Sequence, residues 1–246
     1  MKQFVSGGCS FSECVSLKTH TWPMHLWAKL PDYTHIPRAM GSIGNGLISR
    51  RVIYTLCQLL KQHDPDKILV GIMWSGPDRH EYYNPRIPEY IRDAGEKHLD
   101  TYGMENPTNV VTEKHWVVLN DPWRHNNDRL VYYTHFHDHI GALVYTYEHI
   151  LRTQWFLKSH GIKYFMSTYN GSVFPDHAKN HNEIAHLLEQ INFDKFLPVT
   201  GEYEWCRDHS GLAFPVKGDD HPGTAQHKLF TEQVIWPFLE KNNYLE

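Results

Sequence analysis

Short apolar runs alternate along the chain with longer stretches in which apolar residues recur every three or four positions. Lys2 to Ser6 is the first run, and it stops at Gly7-Gly8, a turn signal. Trp22 to Leu30 has the pattern of an amphipathic helix, and Tyr33 to Ile36 reads as a short extended piece. From Gly44 to Gln62, residues Leu47, Ile48, Val52, Ile53, Leu56, Leu59 and Leu60 share a helical face. Asp66 to Met73 is a continuous apolar strand, the kind that is covered on both faces in a parallel sheet. A long helix is predicted from Ile140 to His160, closed by Gly161. Ile162 to Thr168 follows as a strand, Asn182 to Gln190 as a helix and Phe193 to Leu197 as a short strand. The last helix is predicted from Thr224 to Glu240, running through Pro237.

Strands that alternate with helices predict an α/β fold, a three-layer α/β/α sandwich around a mainly parallel sheet. At 246 residues the chain is expected to form one domain. Residues of about 77–130, from Pro77 to Arg129, lack a sustained apolar pattern. They read as an irregular insertion over the sheet. No repeat or low-complexity linker interrupts the chain.

Charge narrows the function. The formal net charge is −4, and the densest basic cluster is the pair Arg50-Arg51. Nothing here resembles the basic stripe of a nucleic-acid binder. No apolar run reaches the length of a membrane span. The N-terminus lacks the apolar core of a signal peptide, which predicts a cytoplasmic protein. The cysteines, Cys9, Cys14, Cys57 and Cys206, have neither zinc-type nor redox spacing, so reduced thiols are expected. No cofactor motif is found, and the oligomeric state is not legible.

Two segments carry candidate chemistry. In F-V-S-G-G-C-S-F-S-E (Phe4 to Glu13), a Gly-rich turn directly after a buried strand can present Ser10 at the sheet's C-terminal edge. Backbone amides lie near its oxygen, so the turn offers a nucleophile and an oxyanion donor together. The plainer reading is an ordinary strand-to-helix turn. In G-D-D-H-P-G-T-A-Q-H (Gly218 to His227), His221 stands just ahead of the last helix with Asp219 and Asp220 before it. That set can supply a base and the group that orients it. The plainer reading is a helix cap beside a surface histidine.

Taken together, these blocks resemble the SGNH (GDSL-like) hydrolase superfamily, in a form like its phage-encoded members. G-C-S-F-S resembles the serine block, with Cys9 where the family usually has Asp. M-G-S-I-G-N-G (Met40 to Gly46) resembles the glycine block, and D-D-H-P (Asp219 to Pro222) the last one. The resemblance implies a flavodoxin-like fold and acyl transfer, with Ser10 as nucleophile and His221 as base. By the short Asp-x-His spacing, Asp219 becomes the orienting acid, with Asp220 second. The amides of Ser10 and Gly44 would form the oxyanion hole. The family's asparagine block departs most: Val70 to Arg79 (V-G-I-M-W-S-G-P-D-R) contains no Asn. The Ser75 hydroxyl and Asn45, reaching in from the glycine block, are the replacements considered.

Trp74, Arg79, Tyr169 and Asn170 are the candidate substrate-binding residues. Arg79 is suited to a carboxylate or to sugar hydroxyls, although a surface ion pair is the better-favoured reading. H-F-H-D-H (His135 to His139) has the look of a metal cluster, but histidine is abundant throughout, with 19 in the chain. The better reading is a polar helix start with Asp138 at the positive end of the dipole. No metal is therefore assigned. Eleven Phe, 8 Trp and 14 Tyr also fit a cleft that stacks on sugar rings. The expected function is a serine carboxylic ester hydrolase acting on a small-molecule or glycan ester, such as an acetylated carbohydrate. An O-acyltransferase with the same Ser and His, and a non-catalytic sugar-binding module on this fold, are the alternatives.

Overall fold

The computed structural model describes residues 1–13, 20–83, 116–119 and 127–246; the side chains of 117 and 127–129 are not among what it describes. Cys14 and most of the expected insertion lie outside these residues. The central sheet is parallel. β1 (Lys2–Gly7) pairs with β2 (Tyr33–Pro37) on one side and with β3 (Ile68–Trp74) on the other. β3 then pairs with a strand at Lys163–Thr168, giving a sheet in which the second strand leads, followed by the first, third and fourth in chain order. Beyond that fourth strand a single parallel bridge, Met166 to Phe196, marks a fifth strand position. This is the flavodoxin-like order 2-1-3-4-5. The expected strand at Phe193–Leu197 is reduced to that bridge, because Phe193–Lys195 first makes a 3₁₀ turn.

Alternation along the strands divides the interior into two layers. Val5, Ile68, Val70, Ile72, Tyr164 and Met166 face one core; Phe4, Leu69, Met73 and Phe165 face the other. The first core is covered by α2 (Asn45–Leu59) and by a long helix at His139–Ser159. The second is covered by α1 (Trp22–Ala28) and by the C-terminal helices. A three-layer α/β/α sandwich results.

The described residues of the expected insertion include regular structure. β4 (His80–Tyr83) and β5 (Trp116–Leu119) pair antiparallel, with His80 opposite Leu119. α3 (Asn127–His135) precedes α4 (His139–Ser159). Asp138 caps α4 by accepting from the Gly141 amide at 3.0 Å. A four-residue strand is too short to show a period, so this strand pair leaves little trace in the pattern.

After β6 (Lys163–Thr168) come α5 (Asn182–Leu188), α6 (Glu202–His209), α7 (Thr224–Phe230) and α8 (Trp236–Lys241). The single helix expected from Thr224 to Glu240 is broken by a π turn at Thr231–Ile235. Pro237 is the cause: it has no N–H to donate, and its ring clashes with the carbonyl of Gln233 in a regular helix. Widening the turn ahead of it relieves both problems.

Candidate active site

The C-terminal edge of the sheet gathers three loops. The first is the turn after β1. There Ser12 N donates to Cys9 O at 2.9 Å, and Glu13 N donates to Ser10 O at 3.4 Å. Gly8 is required by its surroundings: φ is +156°, and a Cβ there would lie 2.4 Å from Ser12 Oγ. The Ser12 hydroxyl in turn accepts from Trp22 Nε1 at 2.8 Å, which ties the turn to α1. Ser10 thus stands on a braced turn, partly exposed.

The second loop precedes α7. Ser10 Oγ and His221 Nε2 are 2.8 Å apart, and His221 Nδ1 lies 2.5 Å from Asp219 Oδ1. The same carboxylate oxygen accepts the His221 backbone amide at 3.1 Å. Burial alone would raise the Asp219 pKa; the ring and amide hydrogen bonds from His221 outweigh it and hold the carboxyl below its ordinary value. Asp219 is therefore a carboxylate at neutral pH, facing one imidazole nitrogen while Ser10 faces the other. Asp220 makes no such contact with the ring. The loop is fastened to the fold by Gly223 N donating to Gln226 Oε1 at 2.9 Å and by His20 N donating to Thr224 Oγ1 at 3.2 Å.

The third loop follows β6. Tyr169 N donates to Trp74 O, and the Tyr169 ring packs edge-on against Phe11 at 5.2 Å. Phe11 in turn lies 4.8 Å from the His221 ring. Asn170 turns its side-chain oxygen to Ser172 N and Oγ, capping the 3₁₀ turn at Gly171–Val173. Its oxygen is committed to that turn rather than offered to a substrate. Trp74 is fully buried in the first core, so it contributes no surface to a cleft.

Several candidate oxyanion donors point elsewhere. Asn45 is 3% exposed and works as a clamp on the β3 turn. Its amide nitrogen donates to Ser75 O at 2.9 Å and to Thr146 Oγ1 at 3.1 Å, while its oxygen accepts Ser75 N at 2.8 Å. With both amide hydrogens spent, Asn45 has none for Ser10. The Ser75 hydroxyl is buried without a partner. Gly44 caps α2, and its amide, with that of Leu47, faces the Glu81 carboxyl on β4. Burial pushes Glu81 up to about 7, despite those amides and the charges of Arg50 and Arg79.

The glycine beside the Ser10 turn is instead Gly41. Met40 N donates to Gly8 O at 3.1 Å, and a Cβ on Gly41 would lie 2.8 Å from the Glu13 carboxylate. Both glycines fall within one motif, and only the continuation of the β1–β2 ladder tells them apart. Gln226, three residues after the N-cap Gly223, reaches back to accept the Gly223 amide, the half of a capping box that its side chain can make.

Arg79 lies over the Tyr169 ring at 5.9 Å and donates to Ile43 O at 3.4 Å. From the histidine-rich segment, His137 Nε2 and His139 Nδ1 approach Asp78 Oδ1 at 3.0 and 3.4 Å. Among the described residues no group of three His, Cys, Asp or Glu side chains is arranged to hold a metal. None of the described helices is long and apolar enough to cross a membrane. A cavity of about 1000 Å³ runs along the outer edge of β6, lined by Phe174, Phe196, Trp205 and Phe238, away from Ser10.

No protein-family model and no curated protein matches the chain. Among solved structures the chain is similar to a crystal structure of TesA, with a TM-score of 0.49, 14% identity, and 98% of this chain and 99% of that one covered. It is also similar to the lipase Lip_vut3 from a goat rumen metagenome, with a TM-score of 0.48, 12% identity and both chains fully covered. Likeness at this level carries nothing about activity or substrate.

Proposed function

We propose that the chain is a serine-dependent carboxylic ester hydrolase of the SGNH type that works through an acyl-enzyme. The observation that carries this reading is the continuous hydrogen-bonded line from Ser10 Oγ through the His221 ring to Asp219. Its members come from opposite ends of the chain and meet at the sheet edge. Such a line is the arrangement that makes a serine hydroxyl nucleophilic at neutral pH.

In the reaction, Ser10 Oγ attacks the ester carbonyl while His221 Nε2 takes its proton. Asp219 holds the imidazole in the tautomer with hydrogen on Nδ1 and stabilises the imidazolium that forms. The oxyanion is received by backbone amides, those of Ser10 and Gly41, rather than by an asparagine. Collapse releases the alcohol, protonated by His221. Water then attacks the acyl-enzyme with His221 again as base, which restores Ser10. No step calls on a metal or cofactor.

The reading extends to a short acyl group, such as acetyl, on a carbohydrate alcohol; the support for the carbohydrate is the aromatic, polar composition. Turnover of short-chain 4-nitrophenyl esters is the test. Wild type is expected to hydrolyse them and Ser10→Ala to lose at least about a thousandfold in kcat. Undiminished hydrolysis by Ser10→Ala would place the nucleophile elsewhere.

A further inference from the structure

Arg79 lies beside Tyr169 at the candidate site; of its acidic neighbours in sequence, Asp78 is engaged elsewhere, and the buried Glu81 carboxyl feels its charge without pairing with it. Asp78 is approached by His137 and His139. Glu81 faces the amides at the start of α2. Among the described residues no carboxylate forms an ion pair with Arg79, and its one hydrogen bond, to Ile43 O, is long at 3.4 Å. Its guanidinium carbon lies 5.9 Å from the centre of the Tyr169 ring, which packs on Phe11, which packs on His221. A guanidinium beside that ring, with most of its five donors unspent, has hydrogen bonds to offer an oxyanion.

We infer that Arg79 selects an ester carrying an anionic group, a carboxylate or phosphate, close to the scissile bond. This rests on the esterase reading of the same site and adds the charge of the substrate to it. A neutral ester of the same size would leave the guanidinium facing the cleft without a partner, and the difference between the two sets the preference. Trp74 is buried and the Asn170 side-chain oxygen is committed to its own turn, so Arg79 with Tyr169 becomes the specificity-determining wall.

Two matched pairs of probes test this. One is 4-nitrophenyl hydrogen succinate against 4-nitrophenyl methyl succinate, with the charge on the acyl side. The other is 3-acetoxybenzoate against its methyl ester, with the charge on the leaving group. In wild type the charged member of at least one pair is expected to have a kcat/KM about tenfold or more above its neutral partner. In Arg79→Met that ratio is expected to fall to near one, and in Arg79→Lys to an intermediate value. A ratio near one for both pairs in wild type overturns the inference, as does a preference that survives in Arg79→Met.

Binding of the same four esters to Ser10→Ala and to Ser10→Ala/Arg79→Met, read by calorimetry, separates this inference from the esterase reading. Charge-selective binding that depends on Arg79, without turnover by wild type, sinks the esterase reading and keeps the anion site. Turnover with no charge preference in rate or binding does the opposite.

Discussion

Asn45 distinguishes a structural clamp from a catalytic donor, and the two roles leave different signatures. Replacing it with Ala removes the donor to Ser75 O and the acceptor for Ser75 N, at a buried residue. Each buried backbone group left without a partner costs about 1–3 kcal/mol, so the pair is worth about 2–6 kcal/mol. In a chain of 246 residues that corresponds to a fall in Tm of at least about 4 °C and up to about 24 °C. Thr146→Val removes only the third bond and should lower Tm by a few degrees at most. Thermal unfolding by circular dichroism reads both variants, alongside kcat at a temperature where each is folded. The folded fraction of Asn45→Ala should keep kcat within about tenfold of wild type, well short of losing an oxyanion donor. An unchanged Tm with a drop of a hundredfold or more in kcat would refute the clamp and restore Asn45 to the oxyanion hole.

Other consequences follow from the same geometry. Asp219→Asn should lower kcat by about a hundredfold to ten-thousandfold, while Asp220→Asn stays within about threefold; steady-state kinetics on one ester decides which acid orients His221. Glu81 sets a pH dependence of stability. Its folded pKa is raised from the ordinary 4.5 to about 7, so the folded state binds the proton more tightly than the unfolded one between those values. Stability is therefore lost as pH rises from about 4.5 to 7, by at most about 3 kcal/mol. Glu81→Gln removes the titration: Tm measured at pH 5 and pH 8 should differ less in the variant than in wild type, and an equal difference would count against the burial of this carboxyl.

The fold was legible in the sequence wherever burial imposes a period. Asp66 to Met73 reads as a strand because both its faces are covered, and the spacing of Leu47, Ile48, Val52 and Leu56 exposes a helical face that packs on the sheet. Ser10 and His221 were legible because a Gly-rich turn and a D-D-H-P loop are local features. What escaped depends on contacts between distant residues. Gly41 and Gly44 share one motif, and only the ladder through Met40 and Gly8 puts Gly41 beside the turn that carries Ser10, near Glu13. Asn45 has the right chemistry for an oxyanion donor, yet Ser75, thirty residues on, takes up its amide. Trp74 closes a strand near the site but points into the core, since alternation along β3 sends it to the same side as Val70 and Ile72. The π turn needs Pro237 to be read against the carbonyl four residues back, a clash that apolar periodicity does not record.

The most direct measurement of the central claim is covalent. Wild type, Ser10→Ala and His221→Ala are incubated with a serine-directed phosphonate ester, followed by intact mass and peptide mapping. The account requires one adduct per wild-type chain, located on the peptide containing Ser10. It also requires none in Ser10→Ala and labelling at least about a hundredfold slower in His221→Ala. An adduct on another residue, or equal labelling of Ser10→Ala, would contradict it.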